Sequence, residues 1–208
     1  MCAADREIHS ALPPSAGLII SLAAGGAILC AAILILYFRQ TNGGEDEESD
    51  CRQAAWAALK ASTAAMEKRE HAQAEEAASH ALQATETLRQ NPELISEIRA
   101  TAFLLRGKAR AADGDPARLR KAIADFDRCL SLTPRDFFAL YCRGCAHYRL
   151  GEIANAEKDL NAALTIKPDY APAYLARAAV RRAQQNHADA EADERRAQEL
   201  QAAQLPAR

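Results

Sequence analysis

The chain has 208 residues, with 26 basic against 28 acidic side chains, a net charge of −2, 49% apolar residues and only 5% aromatics. A near-neutral balance gives no reason to expect a nucleic-acid or acidic-lipid surface. Few aromatics among many alanines suit thin helix-on-helix packing and not a thick globular core, and the length after residue 50 fits one domain.

Residues 1–17 form an N-terminal tail holding Asp5, Arg6 and Glu7, so no basic leader is present and a cleaved secretory signal is not expected. Residues 18–38, LIISLAAGGAILCAAILILYF, carry no charge over 21 positions, enough for one transmembrane helix. Tyr37 and Phe38 stand where an aromatic belt would lie, with Arg39 next. A lipoprotein attachment at Cys30 is a poor fit, because Leu29 occupies the place of a small residue. Gly17, Ser21 and Gly25 are spaced by four, which would let two such helices approach as a homodimer; tolerance of small residues in a weakly hydrophobic span is the alternative. Arg6 before the span and Arg39 and Arg52 after it give only a slight orientation bias. Residues 39–50, with Thr41–Gly44 and the acidic run Glu45–Asp50, read as a flexible, hydrated linker.

Residues 51–208 are predicted to be all-α. The segment 51–91 is rich in good helix formers and reads as a helix pair with Trp56, Leu59, Met66, Leu82 and Leu88 on its apolar face. From 97 onward the chain echoes itself. Pro134 and Pro168 lie 34 apart, as do Ala122, Ala156 and Ala190, then Asp125, Asp159 and Asp193, then Cys129, Ala163 and Ala197. The copies span 97–134, 135–168 and 169–203. In the second, Gly144 is the small residue of a first helix, Gly151 ends that helix, and Pro168 blocks the end of the next. In the third, Gln185 and Glu194 replace Gly151 and Leu160, so that copy is degenerate. Gly107 to Gly144 is 37, so the first copy holds three extra residues, expected within AADGDPARL at 111–119. Arg106, Arg143 and Arg177 precede the small positions and are followed by Asp125, Asp159 and Asp193, which predicts three structural ion pairs between paired helices. An arginine ladder that binds anions is the alternative. The polar last stretch, 187–203, fits a solvent-facing cap.

A fixed period of 34 with these small and aromatic positions resembles the tetratricopeptide repeat. The resemblance implies a short α-solenoid of tetratricopeptide helix pairs behind one N-terminal transmembrane helix, with 51–91 as a degenerate first repeat or cap. It also implies a scaffold or adaptor and not an enzyme, in which first helices line a concave groove. By alignment the inward positions are Thr101, Leu104, Lys108 and Ala111, then Phe138, Tyr141, Cys145 and Tyr148, then Pro172, Leu175, Ala179 and Arg182. A protein or peptide partner is expected against Leu104, Lys108, Phe138, Tyr141, Cys145, Tyr148, Leu175 and Arg182; occupation by the chain's own N-terminal helices is the alternative. Repeats that clamp chaperone C-terminal tails use Lys, Asn and Arg where this chain has Leu104, Lys108, Cys142, Pro172 and Ala176, so chaperone tails are not expected. An anchor followed by repeats is also the layout of mitochondrial outer-membrane import receptors, which bind amphipathic targeting helices. The resemblance thus implies repeats on the cytosolic side of a membrane such as the mitochondrial outer membrane or endoplasmic reticulum.

Six scattered cysteines, Cys2, Cys30, Cys51, Cys129, Cys142 and Cys145, are no secreted disulfide framework. Cys142 and Cys145 could serve a thiol oxidoreductase, but the motif sits inside a predicted helix with no preceding strand, and packing is the simpler reading. Only His147 is near enough to extend a metal site. No phosphate loop or nucleophile elbow is visible, so no cofactor is expected, and the net charge of −2 gives no reason to expect a nucleic acid.

Overall fold

A computed structural model describes residues 45–89 and 91–204. The tail 1–17, the uncharged run 18–38 with its Gly17/Ser21/Gly25 stripe, and residues 39–44 lie outside the described residues. Residues from Glu48 onward form one compact unit; the unit before it, Met1–Glu47, enters only through the opening of the first helix.

The described chain runs through eight helices: α1 (Glu45–Glu67), α2 (His71–Ala84), α3 (Pro92–Ala111), α4 (Pro116–Leu132), α5 (Phe137–Arg149), α6 (Ile153–Ile166), α7 (Ala171–Ala183) and α8 (His187–Gln204). Among the described residues none is long and apolar enough to cross a membrane. The acidic run expected in a linker is helical instead, since Glu45–Asp50 opens α1. Acidic residues are favoured in a first turn, where they meet the positive end of the helix dipole, and the alanine-rich sequence behind them propagates the helix. Asp115 and Asp136 cap α4 and α5 by accepting from the backbone N–H groups of Arg118, and of Phe138 and Ala139.

The helices pack as four successive pairs, and each first helix carries a small buried residue at one repeating position: Ser62, Gly107, Gly144 and Ala178. Each second helix begins nine residues later. A buried alanine follows the small residue by twelve in three pairs (Ala74, Ala156, Ala190) and by fifteen in the second pair (Ala122). The inserted residues therefore leave the turn unchanged and prolong α4 at its N-terminal end by most of a turn. Seven residues after each small residue the backbone is left-handed: Arg69 (φ 62°), Gly114 (76°), Gly151 (79°) and Gln185 (64°).

The core is thin. Ala55, Leu59, Ala78, Ala81, Ile98, Ala102 and Leu105 join the first pair to α3. Leu119, Ala122, Phe126 and Ala146 join α4 to α5. Ala156, Leu160, Leu164, Ala173 and Val180 join α6 to α7. First helices of neighbouring pairs also touch, α3 on α5 and α5 on α7. Trp56, expected on the apolar face, is 46% exposed, whereas Leu59 and Leu88 are buried. On α8 the buried residues are Ala190, Asp193 and Ala197, and Asp193 meets Arg177 of α7.

Between the helices of three pairs, an arginine meets a buried aspartate through Nε and Nη2. Arg106 Nη2 lies 2.7 Å from Asp125, Arg143 Nη2 2.7 Å from Asp159, and Arg177 Nη2 2.6 Å from Asp193. One helical turn after each arginine a second basic residue reaches the same carboxylate: Arg110 and Arg181 at 2.7 Å, and His147 at 3.8 Å. The free edge then reaches back one pair: Arg143 Nη1 donates to Asp127 at 2.6 Å, and Arg177 Nη1 to Asn161 at 2.7 Å. The hydrogen bond to Asp159 holds the Arg143 guanidinium above its ordinary range, and that to Asp193 does the same for Arg177.

Two stability measurements follow from this geometry. A Cβ on Gly107 would stand 2.6 Å from the buried Phe126 ring, so Gly107→Ala should lose about 1–3 kcal/mol by overpacking in chemical denaturation. Gly151→Ala meets no neighbour and should lose only the left-handed cost, about 1–2 kcal/mol. Arg143→Met should cost about 3–5 kcal/mol, because it strands the buried Asp159. Arg182→Met, breaking the more exposed pair with Glu194, should cost no more than about 1 kcal/mol. Equal losses would mean that the ladder does not hold the array together.

Candidate functional site

The first helices present one repeating set of positions, at six and three residues before the small residue and one and four after it. In α3 these are Thr101, Leu104, Lys108 and Ala111; in α5 Phe138, Tyr141, Cys145 and Tyr148; in α7 Pro172, Leu175, Ala179 and Arg182. In α1 the same offsets from Ser62 give Trp56, Leu59, Thr63 and Met66. The structure brings Trp56, Lys60 and Thr63 together with Thr101 around an open cleft of about 670 Å³, so the surface continues onto the first pair.

Its middle is aromatic. Phe138 and Tyr141 stack with centroids 6.0 Å apart. Tyr170, from the turn before α7, meets Tyr141 edge-on at 5.3 Å and Phe138 at 6.3 Å. The Lys108 ammonium lies 5.0 Å from the Phe138 ring centroid, a cation–π contact between neighbouring pairs. No described carboxylate lies within ion-pair distance of Lys108. Leu104 is half-buried against the clusters around Phe126 and Cys129 and serves packing as much as surface. Arg182, expected as a basic edge, is bound to Glu194 of α8, so its charge is answered within the chain.

Two features escaped the sequence reading. Tyr170 lies outside any first helix, and its signal was only an aromatic just before the 34-residue register restarts. Trp56 was expected on the apolar face of the first pair with Leu59 and Met66; counting six back from Ser62 places it at a first-helix surface position instead.

The thiol chemistry does not fit a redox site. Burial, then the neighbouring Cys145, pushes the Cys142 thiol up to about 12, and burial also raises Cys145. A nucleophilic thiol needs the opposite shift. Both cysteines are free and sit in the middle of α5. At neutral pH both should therefore alkylate more than about tenfold slower than free cysteine, with the rate restored on unfolding. Reaction as fast as the free thiol in the folded chain would reopen the oxidoreductase reading.

Comparison with known proteins agrees with this geometry. Residues 137–170 match the family model of the tetratricopeptide repeat. No curated protein sequence matches the chain. Among solved structures, MamA is similar with a TM-score of 0.57 at 19% identity, over 71% of this chain and 78% of that one. The C-terminal TPR-containing domain of an FK506-binding protein from Plasmodium falciparum gives 0.59 at 17% identity, over 66% and 93%. A tetratricopeptide repeat protein from Parabacteroides merdae gives 0.55 at 23% identity, over 71% and 54%. At these identities the likeness concerns the fold: the described helical unit is a tetratricopeptide-like α-solenoid, with a tetratricopeptide repeat at residues 137–170.

Proposed function

We propose that the chain is an adaptor that holds a protein segment in its concave groove, tethered to a membrane through residues 18–38. One observation carries the groove. The large apolar side chains that stand well exposed among the described residues are Trp56 (46%), Leu175 (44%), Tyr148 (37%) and Leu132 (36%). The first three occupy the same set of first-helix positions on three different pairs, although nothing in helix packing requires exposure there. Rigid aromatic anchors spaced along a concave surface suit a helix or extended segment laid across them.

Charge narrows the segment. Lys60 lines the cleft at one end, and Lys108, without a carboxylate partner among the described residues, stands at the middle. An apolar segment bearing an acidic residue complements this surface. Basic targeting helices of the mitochondrial kind would place cations against these lysines, so the import-receptor alternative fits the groove less well. The tether rests on the uncharged 21-residue run and on nothing in the described helices.

The test is crosslinking-assisted capture from native membranes with the full chain and with Trp56→Ala/Tyr148→Ala/Leu175→Ala. These side chains are more than a third exposed, so the variant should stay folded, as thermal unfolding would check. Each truncation should cost about 1–2 kcal/mol of binding, so the combined loss should exceed tenfold. Undiminished capture by a variant of unchanged stability would remove the groove as the binding surface.

A further inference from the structure

The fourth exposed apolar side chain, Leu132, lies away from the groove, at a separate pocket of about 330 Å³ between α2 and α4 with α3 as its floor. Arg99, Phe103, Arg106 and Arg128 line it, and Glu86 is the acid among its lining residues. The Arg106 and Arg128 guanidiniums lie 5.4 and 5.5 Å from the centroid of the Phe103 ring. Arg99 gives Nε and Nη2 to the hydroxyl and carbonyl oxygens of Thr85. No described carboxylate lies within ion-pair distance of Arg99 or Arg128.

The periodicity of the ladder shows what is different here. In the two later junctions the Nη1 edge of the arginine reaches an acceptor on the preceding second helix, Asp127 or Asn161. Both acceptors lie seventeen residues after the small residue of their own pair, allowing for the three inserted in α4. The same offset from Ser62 falls on Ser79, whose hydroxyl donates to the Glu75 carbonyl. Arg106 uses Nε and Nη2 on Asp125, and its Nη1 has no acceptor among the described residues. This junction alone of the three thus brings together one unused guanidinium edge and two guanidiniums without a carboxylate, beside an aromatic ring and an apolar lip.

We propose that this pocket binds a phosphate group, as the free anion or carried on a phosphorylated side chain. Two uncompensated guanidiniums match a dianion with several acceptor oxygens better than they match a single carboxylate. Phe103 and Leu132 offer an apolar wall to whatever carries the phosphate.

The experiment titrates the full chain in detergent micelles by calorimetry, at fixed ionic strength, with inorganic phosphate, O-phosphotyrosine and acetate. Saturable binding of at least one phosphate compound is expected, with none for acetate. Arg128→Gln should weaken it at least tenfold with unchanged thermal unfolding, because this side chain is exposed. Arg128→Lys should recover part of the loss, and Lys108→Gln, in the concave groove, should change nothing. Phosphotyrosine binding at least tenfold tighter than phosphate would assign the site to a phosphorylated side chain; equal affinities would assign it to the free anion. The proposal is overturned by absence of saturable binding, by acetate binding as tightly, or by undiminished binding in Arg128→Gln.

Discussion

A buried carboxylate that must be met by an arginine is the constraint on which this array depends. Asp125, Asp159 and Asp193 are all nearly sealed from solvent on otherwise apolar helix faces. A core built mostly of alanine gains little from burial per residue, so many helix registers would be close in hydrophobic energy. The aspartates remove that degeneracy, since any slip that separates one from its guanidinium leaves an uncompensated charge in the interior. The arginines extend the same discipline across pairs: Arg143 and Arg177 each grip one residue ahead in their own pair and one behind in the preceding pair. Helix pairing and pair stacking are thus set by the same side chains.

This explains which parts of the fold were legible in sequence. The 34-residue echo, the small residues and the Arg/Asp spacing are imposed by packing, and packing acts on residue type. The left-handed turn was legible only where glycine marked it. Gly151 announced it, whereas Arg69 and Gln185 adopt the same conformation at a cost that flanking helix contacts impose on them. Loss of the glycine therefore signalled a degenerate repeat where the backbone had not changed. The acidic stretch that opens α1 misled for a related reason: composition suggested a hydrated linker, but an acidic sequence also suits a helix start.

The proposed groove is legible in the sequence as a register: positions counted from Gly144 give Phe138, Tyr141 and Tyr148, because α5 keeps the spacing of the repeat. What spacing could not supply was the identity of partners across pairs. Tyr170 closes the aromatic cluster from a turn, Lys108 settles over a ring of the next helix, and Glu194 neutralises Arg182. Likewise Arg110, His147 and Arg181 share the ladder's carboxylates from one turn further along, a second layer visible only once the helices are seen side by side.

The two surfaces differ because the ladder uses up one kind of residue and leaves another free. Where each arginine has an acceptor ahead and behind, its charge is internal to the array and offers nothing to a ligand. At the first junction no described acceptor meets the rear edge of Arg106, and Arg99 and Arg128 stand near Phe103 without a described carboxylate partner. The concave positions carry no such duty, so their side chains can be large and exposed without weakening the stack. A frame held by charge pairs keeps those side chains at fixed separations, so the segment proposed to bind there need not pay to order them. Under that proposal, stiffness in the ladder and affinity at the concave positions are linked: loosening the first by losing Arg143 would raise the ordering cost of the second, even though Arg143 belongs to none of those positions.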